Sequence, residues 1–105
     1  MPIEKDGPFN PEAEISDEYS ELQNLTTGER ETVRVLFEEV RSLEGILDMT
    51  PQVPPIGHLQ GIAENLDALR AYNKPELYRY INDHQAKLTA LTAKAREIFG
   101  NEIET

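Results

Sequence analysis

The sequence has no cysteine and no tryptophan. Without cysteine, the chain has no disulfide bridges, no thiolate nucleophile and no thiolate metal ligands. No apolar run approaches the ~20 residues that span a bilayer, so we expect no membrane-spanning segment. The first residues lack the apolar region of a secretory signal peptide, and this predicts a cytoplasmic protein.

The motifs that accompany the common catalytic chemistries are also missing. There is no Gly-x-Gly-x-x-Gly and no P-loop for nucleotide phosphates. None of Ser16, Ser20 and Ser42 lies in a nucleophile elbow. Neither histidine follows a glutamate by three residues, as the ligands of di-iron bundles do. We therefore predict that the protein is not an enzyme and binds no metal and no cofactor.

Negative charge is abundant, and it is concentrated near the N-terminus. The chain of 105 residues has 20 acidic and 10 basic side chains, a net charge of −10. Residues 1–25 contribute −6 of this, whereas residues 74–105 carry equal numbers of both signs. Phosphate neutralisation requires clustered Lys and Arg, so direct binding of nucleic acid is not expected.

The length fits one small domain preceded by a tail. Residues 1–14 contain three prolines among charged side chains, and this predicts a disordered acidic tail. Residues 15–105 are then a single helical domain. The sequence does not decide whether a short helix forms over about 16–25. Ser16 suits an N-cap, and Ile15, Tyr19 and Leu22 share one helical face.

Three further helices are predicted, at 27–48, 58–72 and 75–99. The segment Thr26-Thr27-Gly28-Glu29 has the spacing of a capping box, and apolar residues follow it in steps of three and four. Asn73 and Pro75 suit a left-handed helix end and a new helix start. The tight turn between the last two helices favours a helical hairpin. The predicted fold is a small, all-α, antiparallel three-helix bundle.

The last helix has the most regular pattern, a heptad-like series. It consists of Leu77, Ile81, His84, Leu88, Leu91, Ala95 and Ile98. This helix is longer than its hairpin partner, so its end needs cover from the first long helix or from a second chain. We therefore predict an interaction surface along it, formed by Tyr78, Tyr80, His84, Leu88, Leu91 and Ile98. Tyrosine is enriched at interface hot spots.

His84 has more than one interpretation. Its position in the apolar series predicts a partly buried, hydrogen-bonded histidine that helps to set helix register. The segment His84-Gln85-Ala86-Lys87 also resembles the His-x-x-Lys core of histidine phosphotransfer domains, which are small acidic helical bundles. Leu88 stands where that family has a glycine. The resemblance implies a solvent-facing His84 that accepts a phosphoryl group.

The sequence as a whole favours a non-enzymatic protein–protein interaction module. It would act as a small adaptor, regulatory subunit or assembly factor through the heptad-patterned helix. The expected partner is another protein or a second copy, in a homo-oligomer or a helical heteromer. Two alternatives remain: an acidic inhibitor that mimics nucleic acid, suggested by the charge and small size, and a phosphotransfer-like domain.

Overall fold

The computed structural model describes residues 11–49 and 51–100, and in these the regular secondary structure is all helical, without strands. The α-helices are α1 (Pro11–Glu18), α2 (Thr27–Asp48), α3 (Ile56–Tyr72) and α4 (Tyr78–Phe99), with a short 3₁₀ helix at Pro75–Leu77. The predicted all-α class is confirmed. None of these helices is long and apolar enough to cross a membrane.

Helices α2 and α3 run antiparallel, as two contacts at different heights show. The hydroxyl groups of Thr32 and Tyr72 lie 3.2 Å apart, joining the start of α2 to the end of α3. His58 Nδ1 lies 3.0 Å from Glu39 Oε1, joining the middle of α2 to the start of α3. The residue numbers rise in one helix as they fall in the other.

Helices α2 and α4 run in the same direction. The Tyr80 hydroxyl, near the start of α4, donates to the Val33 carbonyl at 2.7 Å. Lys94, near the end of α4, reaches Asp48 at the end of α2, with 2.8 Å between Nζ and Oδ1. Helix α3 therefore lies antiparallel to both, which is the up-down-up arrangement of the predicted three-helix bundle.

The start of α2 is fixed by its capping box, as predicted. Thr26 Oγ1 accepts from the Glu29 amide at 3.2 Å, and Glu29 Oε1 accepts from the Thr26 amide at 2.9 Å. Lys74 also donates to Glu29 Oε1 at 2.7 Å, which links α2 to the α3–α4 turn. This bond, with the Thr26 amide, lowers the pKa of the Glu29 carboxyl. The predicted bounds of 27–48 match α2.

The α3–α4 turn uses the two residues that the sequence indicates. Asn73 is left-handed, with φ 56° and ψ 46°, and ends α3. Pro75 begins a 3₁₀ turn, in which the Leu77 amide donates to the Lys74 carbonyl at 3.0 Å, and α4 starts only at Tyr78. The predicted helix 75–99 thus has a tighter first turn, and α3 begins two residues before the predicted 58.

The structure places the first helix earlier than the predicted 16–25. Helix α1 begins at Pro11, so residues 11–14, which we assigned to the disordered tail, are helical; residues 1–10 lie outside the described part. Proline at the first position and two glutamates in the first turn favour this start. After Glu18 the chain forms turns and a bend over residues 20–24, and Thr26 is extended, with ψ 169°, where it caps α2.

The core lies between α2, α3 and α4, and residues 15–25 cover one side of it. From α1 and the turn after it come Ile15, Tyr19, Leu22 and Leu25, all buried. The other buried apolar side chains are Val33, Leu36, Phe37, Val40, Leu43, Leu47, Ile62, Leu66, Leu69, Leu77, Tyr80, Ile81, Leu91 and Ala95. Among the described residues, Glu29 and His84 are the buried polar ones.

Candidate interaction surface and the buried histidine

The structure does not bring the six predicted interaction residues to one exposed face. Tyr80, His84 and Leu91 are buried in the core. Leu88 is half-buried and packs against the core. Tyr78 and Ile98 are 52% and 40% exposed, but they lie at opposite ends of α4. The heptad series therefore marks mainly the face that α4 turns toward its own chain.

Two apolar residues near the end of α4 are covered within the chain itself. Leu91 and Ala95 are both in the core, and the Lys94–Asp48 ion pair holds the last turn of α2 beside them. Ile98, one turn further on, stays exposed. The bundle therefore covers part of the apolar series at this end, and Ile98 is left accessible.

Among the described residues, four of the six exposed large apolar side chains lie at one end of the bundle, and the other two, Tyr72 and Tyr78, lie beside the α3–α4 turn. Met49 and Val53, in the α2–α3 connection, are 79% and 72% exposed, and Ile56, at the start of α3, is also exposed. Ile98 lies one turn beyond Lys94, which contacts the end of α2, so it belongs to the same end. We call Met49, Val53, Ile56 and Ile98 the apolar end. Of these four residues, the sequence analysis predicted only Ile98 as an interaction residue.

The opposite half of α4 lies under an aromatic cluster. The Tyr19 ring packs edge-on against Tyr80, with centroids 4.9 Å apart, and Tyr80 lies 4.1 Å from the His84 ring. Phe37 of α2 completes the cluster, 6.2 Å from His84. The Tyr19 hydroxyl also donates to Asp83 Oδ2 at 2.6 Å, a hydrogen bond between residues 64 positions apart in the sequence.

Arg79 strengthens the attachment of residues 18–21 to α4. Its guanidinium carbon lies 4.4 Å from the centre of the Tyr19 ring, a cation–π arrangement. The same group binds both carboxylate oxygens of Glu21, at 2.8 and 2.9 Å, and the Glu18 carbonyl. Burial and the neighbouring Asp83 raise the pKa of Tyr19, so its hydroxyl keeps its proton.

His84 is buried and hydrogen-bonded on one side only. Its Nδ1 atom lies 2.8 Å from the Tyr80 carbonyl oxygen. A carbonyl only accepts, so Nδ1 carries the hydrogen and Nε2 is left as an acceptor. Nε2 is buried and has no hydrogen-bond partner within the described residues. Burial lowers the pKa of His84, which keeps the ring neutral at pH 7.

The burial of His84 bears on the two interpretations of this residue. It is 1% exposed, as expected for a structural histidine inside the bundle. A phosphoryl acceptor must reach its donor protein, and this imidazole cannot do so without opening the core. Among the described residues, no three His, Asp or Glu side chains are grouped so that they could hold a metal ion.

Charge divides the molecule into an acidic and a nearly neutral half. Residues 11–49 carry 11 acidic and 3 basic side chains, and residues 51–100 carry 5 and 6. Four of the acidic residues of the first half are on α1, which packs against the bundle through Ile15 and an ion pair between Glu14 and Arg41 at 2.8 Å. These carboxylates are therefore fixed to a folded surface.

Comparisons with known protein families, with curated proteins and with solved structures found no match to this chain.

Proposed function

We propose that the protein is a non-enzymatic protein–protein interaction module, an adaptor, regulatory subunit or assembly factor, that docks through its apolar end. The observation that supports this is the joint exposure of Met49, Val53, Ile56 and Ile98. Single exposed apolar residues are common on protein surfaces, but several together mark interaction sites. Most side chains of the heptad face of α4 are buried in the core, so we assign partner binding to the apolar end instead.

The partner is a different protein that offers an apolar pocket edged by basic side chains. Four side chains are too few for the ~1,200 Å² of a standard-sized interface, so they act as anchors within a larger contact. The net charge of −10 repels a second copy and attracts a basic surface. Methionine, with its flexible and polarizable side chain, suits such an anchor.

Site-specific photo-crosslinking tests this proposal. The full chain carries a photo-reactive phenylalanine in place of Val53, or, as a control, in place of Thr89, which is exposed on α4. We expect irradiation in the host cell to give a defined adduct from position 53 and none from position 89. The captured protein is then purified and its affinity measured by calorimetry.

Matched charge variants make the result quantitative. Val53→Asp should weaken binding of the purified partner about thirtyfold or more, the loss that removal of a hot spot produces. Thr89→Asp adds the same charge elsewhere and should leave affinity within about twofold. Equal affinities for the two variants would refute docking at the apolar end. Light scattering that shows a dimer abolished by Val53→Asp would instead identify a second copy as the partner.

One observation also favours an acidic inhibitor that mimics nucleic acid. Such a mimic needs carboxylates at fixed positions, and Glu12, Asp17 and Glu18 are exposed on the packed helix α1. The triple variant Glu12→Gln, Asp17→Asn, Glu18→Gln should then lose inhibition of a nucleic-acid enzyme. The control Glu64→Gln, Asp67→Asn, Glu76→Gln removes equal charge from the other half. Equal inhibition by the two variants would reject the mimic.

A further inference from the structure

A cavity of about 240 Å³ lies between α1, the turn that follows it and the first half of α2. Its apolar lining comes from Ile15, Leu22, Leu25 and Val33. Its polar lining comes from Glu12, Ser16, Gln23, Arg30 and Arg34. The cavity is separate from both the apolar end and the aromatic cluster.

This cavity is a groove that is partly open to solvent, so a small ligand can enter it without opening the core. An apolar cavity of about 150 Å³ is known to bind benzene. The volume here has room for one six-membered ring with a short substituent. Leu22, Gln23 and Leu25, in the non-helical segment after α1, form one side of it.

The two arginines that line the cavity differ in their partners. Arg34 is held by Glu31 and Glu38, and these carboxylates raise its pKa. Arg30 is exposed, and its guanidinium has no ion pair within residues 11–49 and 51–100. A free guanidinium beside an apolar cavity can bind a carboxylate through two parallel hydrogen bonds.

We propose that this cavity binds a small carboxylic acid with a single-ring apolar body, with its carboxylate on Arg30. Ile15, Leu22, Leu25 and Val33 surround the ring. Glu12 also lines the cavity and repels an anion there, so its charge opposes binding. We therefore expect Arg30 to raise and Glu12 to lower the affinity of this site for an anionic ligand. The site does not depend on the proposed protein–protein docking, since it shares no residue with the apolar end.

Nitrogen–proton correlation spectra of the full ¹⁵N-labelled chain test the site with three probes of one shape. Phenylacetate is the anion, phenylacetamide is neutral and phenethylamine is a cation. We expect phenylacetate to bind most tightly and to shift amides of the lining residues between 12 and 34. Arg30→Gln should weaken phenylacetate binding about tenfold. Glu12→Gln should tighten it.

Controls separate the site from general charge effects. Arg96→Gln removes the same charge from an exposed position on α4 and should leave phenylacetate binding unchanged. Leu22→Phe fills the cavity and should abolish it, with thermal unfolding followed by circular dichroism to verify the fold. Equal affinity for the acid and the amide, unchanged binding by Arg30→Gln, or shifts spread over the surface would each overturn the proposal. These measurements use the wild-type chain and variants at exposed positions, so they remain valid even if Leu22→Phe fails to fold.

Discussion

The two ends of the bundle differ in how the chain finishes them. At the end that holds the α3–α4 turn, residues 15–25 fold back over the core, and Tyr19, Arg79 and Lys74 bind across elements. At the apolar end, no described segment covers Met49 and Val53. These contacts across elements stabilise the first end, which we call the closed end, although Tyr72 and Tyr78 are exposed there. Exposed apolar side chains contribute little to folding. At the apolar end, a bound partner would therefore gain free energy by burying them.

The strongest test of this comparison is a matched pair of truncations. Tyr80→Ala should lower the free energy of unfolding by about 3–5 kcal/mol, because it opens a large cavity in the closed end. Tyr80 is fully buried, and its hydroxyl is bonded to the Val33 carbonyl. Val53→Ala should change the free energy of unfolding by less than about 0.5 kcal/mol. Urea unfolding of both variants measures the difference.

The slopes of these unfolding curves serve as a control. Unchanged slopes would show that each variant exposes the same surface on unfolding as the wild type. A Val53→Ala loss comparable to that of Tyr80→Ala would contradict the comparison, since it would mean that the apolar end is packed in solution. Should Tyr80→Ala not fold at all, Tyr80→Phe removes only the hydroxyl and should cost about 1 kcal/mol.

How far the sequence predicts this structure depends on the range of the interactions. The bounds of α2 follow from contacts within four residues, the Thr26–Glu29 capping box and a 3–4 apolar spacing. Asn73 ends α3 for an equally local reason. Helix α1 has only eight residues, and Tyr19, just after it, bonds to Asp83, 64 residues away. No local pattern contains that contact, so the predicted position at 16–25 was shifted.

The candidate site was predictable only in part, for a related reason. An apolar series shows that a helix face is covered, but not which molecule covers it. For Tyr80 and Leu91 the cover is the chain itself. The exposed Met49, Val53 and Ile56 are spaced by four and three residues, but the prolines among them interrupt any helix, so this spacing does not mark a helix face. A search for apolar residues outside the predicted helices would have found them.

The unpartnered His84 nitrogen gives the second prediction. A buried acceptor without a donor costs about 1–3 kcal/mol, and the Tyr80 carbonyl keeps its helical partner if the ring is removed. His84→Leu should therefore raise the free energy of unfolding at pH 7 by about 1 kcal/mol. A loss of stability instead would show that Nε2 has a donor in solution.

The pH dependence of stability provides an independent reading of the same residue. Burial depresses the His84 pKa below its ordinary value of 6.5; the hydrogen bond to the Tyr80 carbonyl and the charges of Asp83 and Glu18 oppose this shift, and Lys87 adds to it. The unfolded chain then binds more protons than the folded one as the pH falls below about 6.5, so stability decreases with decreasing pH. His84→Leu should reduce this decrease, and His58→Gln, the control, should retain it. Thermal unfolding between pH 7.5 and pH 5.5 measures both.

The most local effect is expected where residues 15–25 attach to α4. Tyr19→Phe keeps the ring between Arg79 and Tyr80 but removes the hydrogen bond to Asp83, at a cost of about 1 kcal/mol. Because this contact holds only one segment, amide hydrogen exchange should accelerate in residues 15–25 and stay unchanged in the middle of α3. Tyr72→Phe, whose hydroxyl is exposed beside Thr32, is the matched control and should leave exchange in residues 15–25 unaltered. Uniformly faster amide exchange in all helices would mean that the closed end and the rest of the bundle unfold as one unit. The two ends would then differ in the exposure of their apolar side chains but not in local stability.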